Sequence, residues 1–283
     1  MTPAVGRILR KLAGGKPVSA KNLVITHTRV AGQPVSFCTN MENDPIQRNH
    51  RRGRFYEQRE LGQLKALFPE GGSFIDIGAN VGNHTLYAGL ILKAGRVVPV
   101  EPNPRAWRLL VHNVLVNRLE GVVELGKLGV GLSDQRAEGY AMENRARNLG
   151  GAKMLPGAGD LVVLPGDELL AGETPDLIKI DVEGMEMQAL AGLEATISQH
   201  RPVLLVEVDN QNEAAFADWV AGHDYDVAET VQRYRLNKNH LLVPKAVDKV
   251  KPARKKAASS KSKPAPKKTA TKKAAASTKK SAA

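Results

Sequence analysis

The chain has 283 residues, and its 41 Lys and Arg stand against 29 Asp and Glu for a formal net charge of +12. Twelve of those bases and no acid fall in residues 251–283, so residues 1–250 hold 29 of each sign, and the excess charge is no argument for a globular domain that is basic throughout. The single cysteine, Cys38, excludes an intrachain disulfide scaffold and a cysteine-rich zinc site, fits a reducing compartment, and reads as a small buried apolar residue.

In residues 4–13, Val5, Ile8, Leu9 and Leu12 recur at helical spacing, with Arg7, Arg10 and Lys11 on the other side, which predicts a short basic amphipathic helix packed on the domain. Residues 23–39 alternate and are rich in β-branched side chains; with a break at Gly32-Gln33-Pro34 they read as a hairpin. Residues 54–68 read as a helix that buries Leu61 and Leu64 and stops before Pro69 and Gly71-Gly72. Short apolar runs follow, at 73–77, 96–100, 122–130, 176–180 and 202–206, separated by helical text. This is the pattern of a parallel sheet covered on both faces. Asn103 and Pro104 mark the start of the second of these helices, and Trp107, Leu110, Val111, Val114 and Leu115 form its core stripe. Residues 135–175 read as an irregular insertion around a candidate strand at 161–164, and strands at 225–227 and 241–243 would close the sheet. The expected organisation is an appendage of helix, hairpin and helix over 1–69, one Rossmann-like α/β domain over 70–244, and a disordered Lys/Ala/Pro-rich tail over 245–283. No apolar run is long enough for a spanning helix or a secretory segment, and a cytoplasmic location is expected.

The informative motif is Asp76-Ile77-Gly78-Ala79-Asn80-Val81-Gly82, a strand end, a glycine-containing turn and a helix start. A nicotinamide dinucleotide site also places a glycine turn after its first strand, but it needs N–H donors and no neighbouring carboxylate around a pyrophosphate. Here Asp76 stands beside the turn, and the spacing is Gly-x-x-x-Gly. S-adenosylmethionine carries an ammonium and a sulfonium and no phosphate, so a carboxylate there is favourable. Glu101, directly after the second strand, is placed to accept hydrogen bonds from both ribose hydroxyls, and as a strand-end carboxylate it would support little of the fold.

The runs DIGANVGNHT, VEPNP, KIDVEGME and RPVLLVEV, in this order within about 54–244, resemble the FkbM-type S-adenosylmethionine-dependent methyltransferases. The resemblance implies a class I methyltransferase fold, a mostly parallel sheet with helices on both faces. It also implies methyl donation from S-adenosylmethionine, usually to a hydroxyl of a sugar or polyketide-like metabolite. Carried over residue by residue, it assigns Asp76, Gly78, Asn80, Gly82 and Glu101 to the cofactor.

On the acceptor side Lys179, Asp181 and Glu183 alternate through the end of the fourth strand, and Glu207 ends the fifth beside it, where the crevice of an open parallel sheet lies. Asp181 is the first choice to orient and deprotonate an acceptor hydroxyl, with Glu183, Lys179 and Glu207 around it. The expectation is a site without metal; the alternative is a divalent cation on Asp181, Asp209 and Asn210. The expected function is O-methylation of a sugar, glycan or small metabolite. The alternative is a nucleic-acid-associated protein or RNA methyltransferase recruited through the lysine-rich tail, which by charge alone offers non-specific polyanion contact.

Overall fold

The computed structural model describes residues 1–157 and 159–245, and Met1–Lys245 form one compact unit. From 246 on, the tail expected to be disordered lies outside the described residues. In chain order the elements are α1 (Pro3–Ala13), β1 (Val24–Val30), β2 (Gln33–Thr39), α2 (Pro45–Arg51), α3 (Gln58–Leu67), β3 (Ser73–Ile77) and α4 (Asn83–Leu90). Next come β4 (Arg96–Val100), α5 (Pro104–Val116), β5 (Gly131–Ser133), β6 (Ala137–Met142), β7 (Met154–Leu155), β8 (Leu161–Pro165) and α6 (Gly166–Leu169). The last are β9 (Leu177–Ile180), α7 (Glu186–Gly192), α8 (Glu194–His200), β10 (Val203–Asp209), α9 (Glu213–Gly222), β11 (Tyr225–Val231) and β12 (Asn237–Pro244).

The main sheet has the order β11-β12-β10-β9-β3-β4. Strands β4, β3, β9 and β10 pair in parallel, whereas β12 is antiparallel to both β10 and β11. The fold is therefore the expected Rossmann-like α/β arrangement with one reversed strand. Period-two geometry divides each apolar run between two cores. Phe74, Val97, Leu177 and Leu205 face one, and Ile75, Val98, Ile178 and Leu204 face the other. The first core also holds Val5, Val35, Phe37, Phe55 and Leu61, so the N-terminal segment covers one face of the sheet.

Local chemistry explains the starts and stops. Thr2 accepts a hydrogen bond from the Val5 N–H at the head of α1, and Asn103 caps α5 with Pro104 at its first position. The hairpin turns at Ala31-Gly32, both at positive φ, one residue earlier than the sequence break suggests; Gln33 and Pro34 already belong to β2. Helix α3 starts at Gln58 rather than near 54. The shorter α2 before it, capped by Asp44 on the Gln47 N–H, is too brief to show a stripe.

The run 122–130 does not form the expected sheet strand. Val123 makes a single bridge to Val97, Glu124 caps a turn at Gly126, and Gly129 sits at φ +79°. Two glycines in nine residues break the extended chain, and the strand is displaced to β5. The segment read as an irregular insertion is ordered instead as β6, β7 and β8, which with β5 make a second sheet of order β5-β8-β6-β7. Cys38 is buried, as its composition suggests, and burial pushes its thiol up to about 11.

His50 is fully buried, stacked on Phe37 at 4.3 Å between ring centroids, with Nε2 3.1 Å from Asn83 Oδ1. Burial lowers its pKa to about 4 from an ordinary value of 6.5. The fold holds the neutral ring, so this contribution is complete above about pH 6.5 and is lost as pH falls towards 4. His50→Phe is expected to flatten the fall of the thermal midpoint between pH 6.5 and 4, at a cost of about 1 kcal/mol at neutral pH. An acid limb as steep as that of the parent chain would remove His50 from this role.

Candidate active site

Where β3 ends, the chain turns through Gly78 at φ +75° and Asn80 at φ +50°. The N–H groups of Gly78 and Ala79 both donate to Val100 O, which ties the turn to the end of β4. A Cβ at Gly78 would lie 1.7 Å from the Asp181 carbonyl oxygen, so no other residue fits between the ends of β3 and β9. Gly82 serves packing: at φ +91° it precedes α4, and a Cβ there would meet the Leu110 side chain at 3.1 Å.

Glu101 follows β4 and is 6% exposed. Its Oε2 accepts from the Asn80 N–H at 2.8 Å and its Oε1 from the Asn103 N–H at 2.7 Å. It therefore holds both the turn and the head of α5, a structural part that its position at a strand end does not suggest. Burial raises its pKa to about 7 against the pull of those two N–H groups.

Between this turn and the second sheet lies a cavity. Its charged lining consists of Glu101, Asp181 and Glu183, with no Lys, Arg or His, and its apolar walls include Val100, Leu132, Met142, Leu149 and Met154. Gly78 and Asn80 line it; Asp76 and Gly82 do not. Asp76 is fully buried beneath the turn, where Oδ2 accepts from Thr85 Oγ1 at 2.6 Å and Oδ1 lies 3.6 Å from Lys179 Nζ. Any influence of Asp76 on a ligand must pass through Lys179 and the turn.

Lys179 is 5% exposed, donates to Gly78 O at 2.8 Å, and stands 3.4 Å from Asp181 Oδ2. Burial opposes its charge, yet Asp181, Asp76, Glu57 and Glu207 together hold the ammonium above the ordinary lysine range. Asp181 and Glu183 also line a second, wider cavity of about 1390 Å³, shared at Asn80 and Gly150, which brings in Glu57, Tyr56, Glu207, Asp209 and Tyr234. Carboxylate oxygens of Asp181, Glu183 and Glu207 lie within 4.8 Å of one another, a spacing that oxygen ligands of one divalent cation can adopt. This trio differs from the Asp181, Asp209 and Asn210 set, because Asp209 Oδ2 is taken by Lys153 Nζ at 3.2 Å and the Asn210 side chain donates to Arg235 O.

Burial, reinforced by Asp181 and Asp209, raises Glu183 to about 8; burial with Asp181 and Glu183 raises Glu207 to about 10. At neutral pH these two carboxyls hold protons and can donate hydrogen bonds. Glu57 belongs to the same group, although nothing in the sequence pattern singles it out. It sits at φ +56° immediately before α3, its carboxylate is 3.7 Å from His84 Nε2, and burial raises it to about 7. Burial lowers His84 to about 3, so that ring is neutral.

Comparison with known proteins adds a family match. Residues 160–234, from β8 through β11, match the model described as the methyltransferase FkbM domain. Among solved structures, a methyltransferase FkbM from Methylobacillus flagellatus KT is 19% identical over 61% of this chain and 43% of its own, with a TM-score of 0.45. The tRNA m1G37 methyltransferase of M. jannaschii is 12% identical over 80% and 56%, with a TM-score of 0.45. An rRNA methylase from Streptococcus thermophilus is 12% identical over 66% and 95%, with a TM-score of 0.44. The chain thus spans about half the length of the first two. No curated protein matches the sequence. The matched segment 160–234 holds the ends of β9 and β10, and with them Lys179, Asp181, Glu183 and Glu207.

Proposed function

We propose that the protein is an S-adenosylmethionine-dependent methyltransferase acting on a hydroxyl of a sugar, glycan or small metabolite. The observation that carries this reading is the lining of the smaller cavity: the carboxyls of Glu101, Asp181 and Glu183 and, among the described residues, no basic side chain, beside a glycine turn. A pyrophosphate finds no cationic partner in that lining, whereas a ligand with a sulfonium and an ammonium finds carboxyl oxygens.

When bound, S-adenosylmethionine supplies a methyl group on a sulfonium, an electrophile that needs no acid to activate it. The chain's own residues do the rest. Glu101 keeps lone pairs beyond its two backbone contacts for a ribose diol, and Gly78 lets the turn lie flat against the cavity. Asp181, 31% exposed at the junction of the two cavities, would accept the proton of the acceptor hydroxyl. Protonated Glu183 and Glu207 donate to the acceptor's other oxygens and hold it in line, where positioning supplies most of the acceleration. Tyr56 and Tyr234, joined through their hydroxyls on the wall of the wider cavity, offer faces that a sugar ring can cover.

Glu101→Gln keeps the side-chain shape and one acceptor oxygen. It is expected to weaken S-adenosylmethionine binding by about 1–2 kcal/mol and to lower the thermal midpoint by about 2–4 °C, because the amide nitrogen leaves one of the two backbone N–H groups without its acceptor. Isothermal titration of the folded variant measures this, and unchanged affinity would take Glu101 out of the site. Asp181→Asn is expected to lower turnover by about 10²-fold or more while cofactor affinity falls by no more than about ten-fold. A variant that turns over normally, or one that loses the cofactor, contradicts the acceptor-side role.

A further inference from the structure

Residues 1–250 sum to zero charge, but the structure separates the signs. Acids gather at the two cavities of the candidate active site; bases gather elsewhere. Between α1, the loop 18–22 and the first half of α5 runs a groove of about 660 Å³ lined by Arg7, Lys11, Lys21, Arg105, Arg108 and His112, with no Asp or Glu in its walls among the described residues. Arg7, Lys11, Lys21 and Arg108 are exposed, and none makes an ion pair among the described residues. Like charges facing one another across a concave surface repel, and that cost is relieved by an anion between them.

We propose that this groove seats a nucleic-acid strand through its phosphodiester backbone. Arg7 and Lys11 are one turn apart on α1, and Arg105 and Arg108 one turn apart on α5, so each wall carries two basic side chains on one helix face. A single small anion meets only part of such a double row; a chain with one phosphate per residue meets all of it. Three of the five fixed cations are guanidinium groups, whose fork suits phosphate oxygens. No Phe, Tyr or Trp lines the groove, so bases have nothing to stack on and the contact is blind to sequence. A lipid bilayer fits less well, because it cannot follow a concave surface. The apolar side of α1 is also already used: Val5 is buried and Ile8, Leu9 and Leu12 pack on the core. Leu149 lines both the groove and the smaller cavity, so a strand held here runs beside that cavity's wall. The inference makes no use of the methyl donor and stands apart from the proposed function.

The test compares two full-length variants with the same change of charge: Lys11→Glu with Arg108→Glu in the groove, and Lys65→Glu with Arg118→Glu at exposed positions outside it. Anisotropy of a labelled single-stranded RNA of mixed sequence is read across a salt series. The groove pair should bind about ten-fold or more weaker at physiological salt, with a log–log salt slope shallower by about 1.4, while the outside pair stays close to the parent. The C-terminal tail is present in all three chains, so its contribution cancels. Equal losses in both pairs, or no loss in the groove pair, would overturn the proposal, as would displacement of the RNA by polyglutamate as readily as by unlabelled RNA. If the groove pair does not fold, Lys11→Gln with Arg108→Gln against Lys65→Gln with Arg118→Gln is read in the same way.

Discussion

One buried ammonium organises the candidate site. Lys179 reaches from β9 to the Gly78 carbonyl in the turn, lies between the carboxylates of Asp76 and Asp181, and is nearly inaccessible to water. A buried carboxylate without such a partner costs several kcal/mol, so the lysine allows an acid under the turn and another above it. It also fixes how β3 and β9 meet, since its hydrogen bond spans their ends just where a Cβ on Gly78 would collide with Asp181. The turn, the cavity it floors and the position of Asp181 all depend on this contact.

From the same contact follows a division of labour among the acids. Asp181 stands closest to the ammonium, whereas burial and mutual repulsion keep Glu183 and Glu207 protonated near neutral pH. Carboxyls of one chemical type thus differ in protonation through burial, the difference that the proposed mechanism uses. On another part of the surface the bases of α1 and α5 lack acidic neighbours altogether. Equal numbers of acids and bases conceal two fields of opposite sign, and these two fields suit ligands of opposite charge.

Much of the frame was legible because local rules and tertiary packing agree there. The apolar runs of β3, β4, β9 and β10 announce strands buried on both faces, and Asn103-Pro104 marks a helix start through its own capping chemistry. Legibility failed where a residue's role depends on something distant in the chain. Asp76 reads as a ligand-facing acid until Lys179 is seen to enclose it. Glu57 has no sequence signal because a left-handed backbone conformation before α3 turns it towards Asp181. The 122–130 run is apolar enough for a strand, but its glycines let the chain turn away and place β5 in the second sheet. The basic groove needs α1 and α5 brought together across about a hundred residues, which no count of charges can show.

The account rests on a cavity whose carboxyls select a cationic ligand over a pyrophosphate. Isothermal titration of the full-length chain with S-adenosylmethionine and with NAD, at neutral pH in one buffer, addresses this directly. Saturable one-site binding of S-adenosylmethionine with no heat from NAD is the expected result. Saturable binding of NAD, or no binding of S-adenosylmethionine to the folded chain, would contradict it.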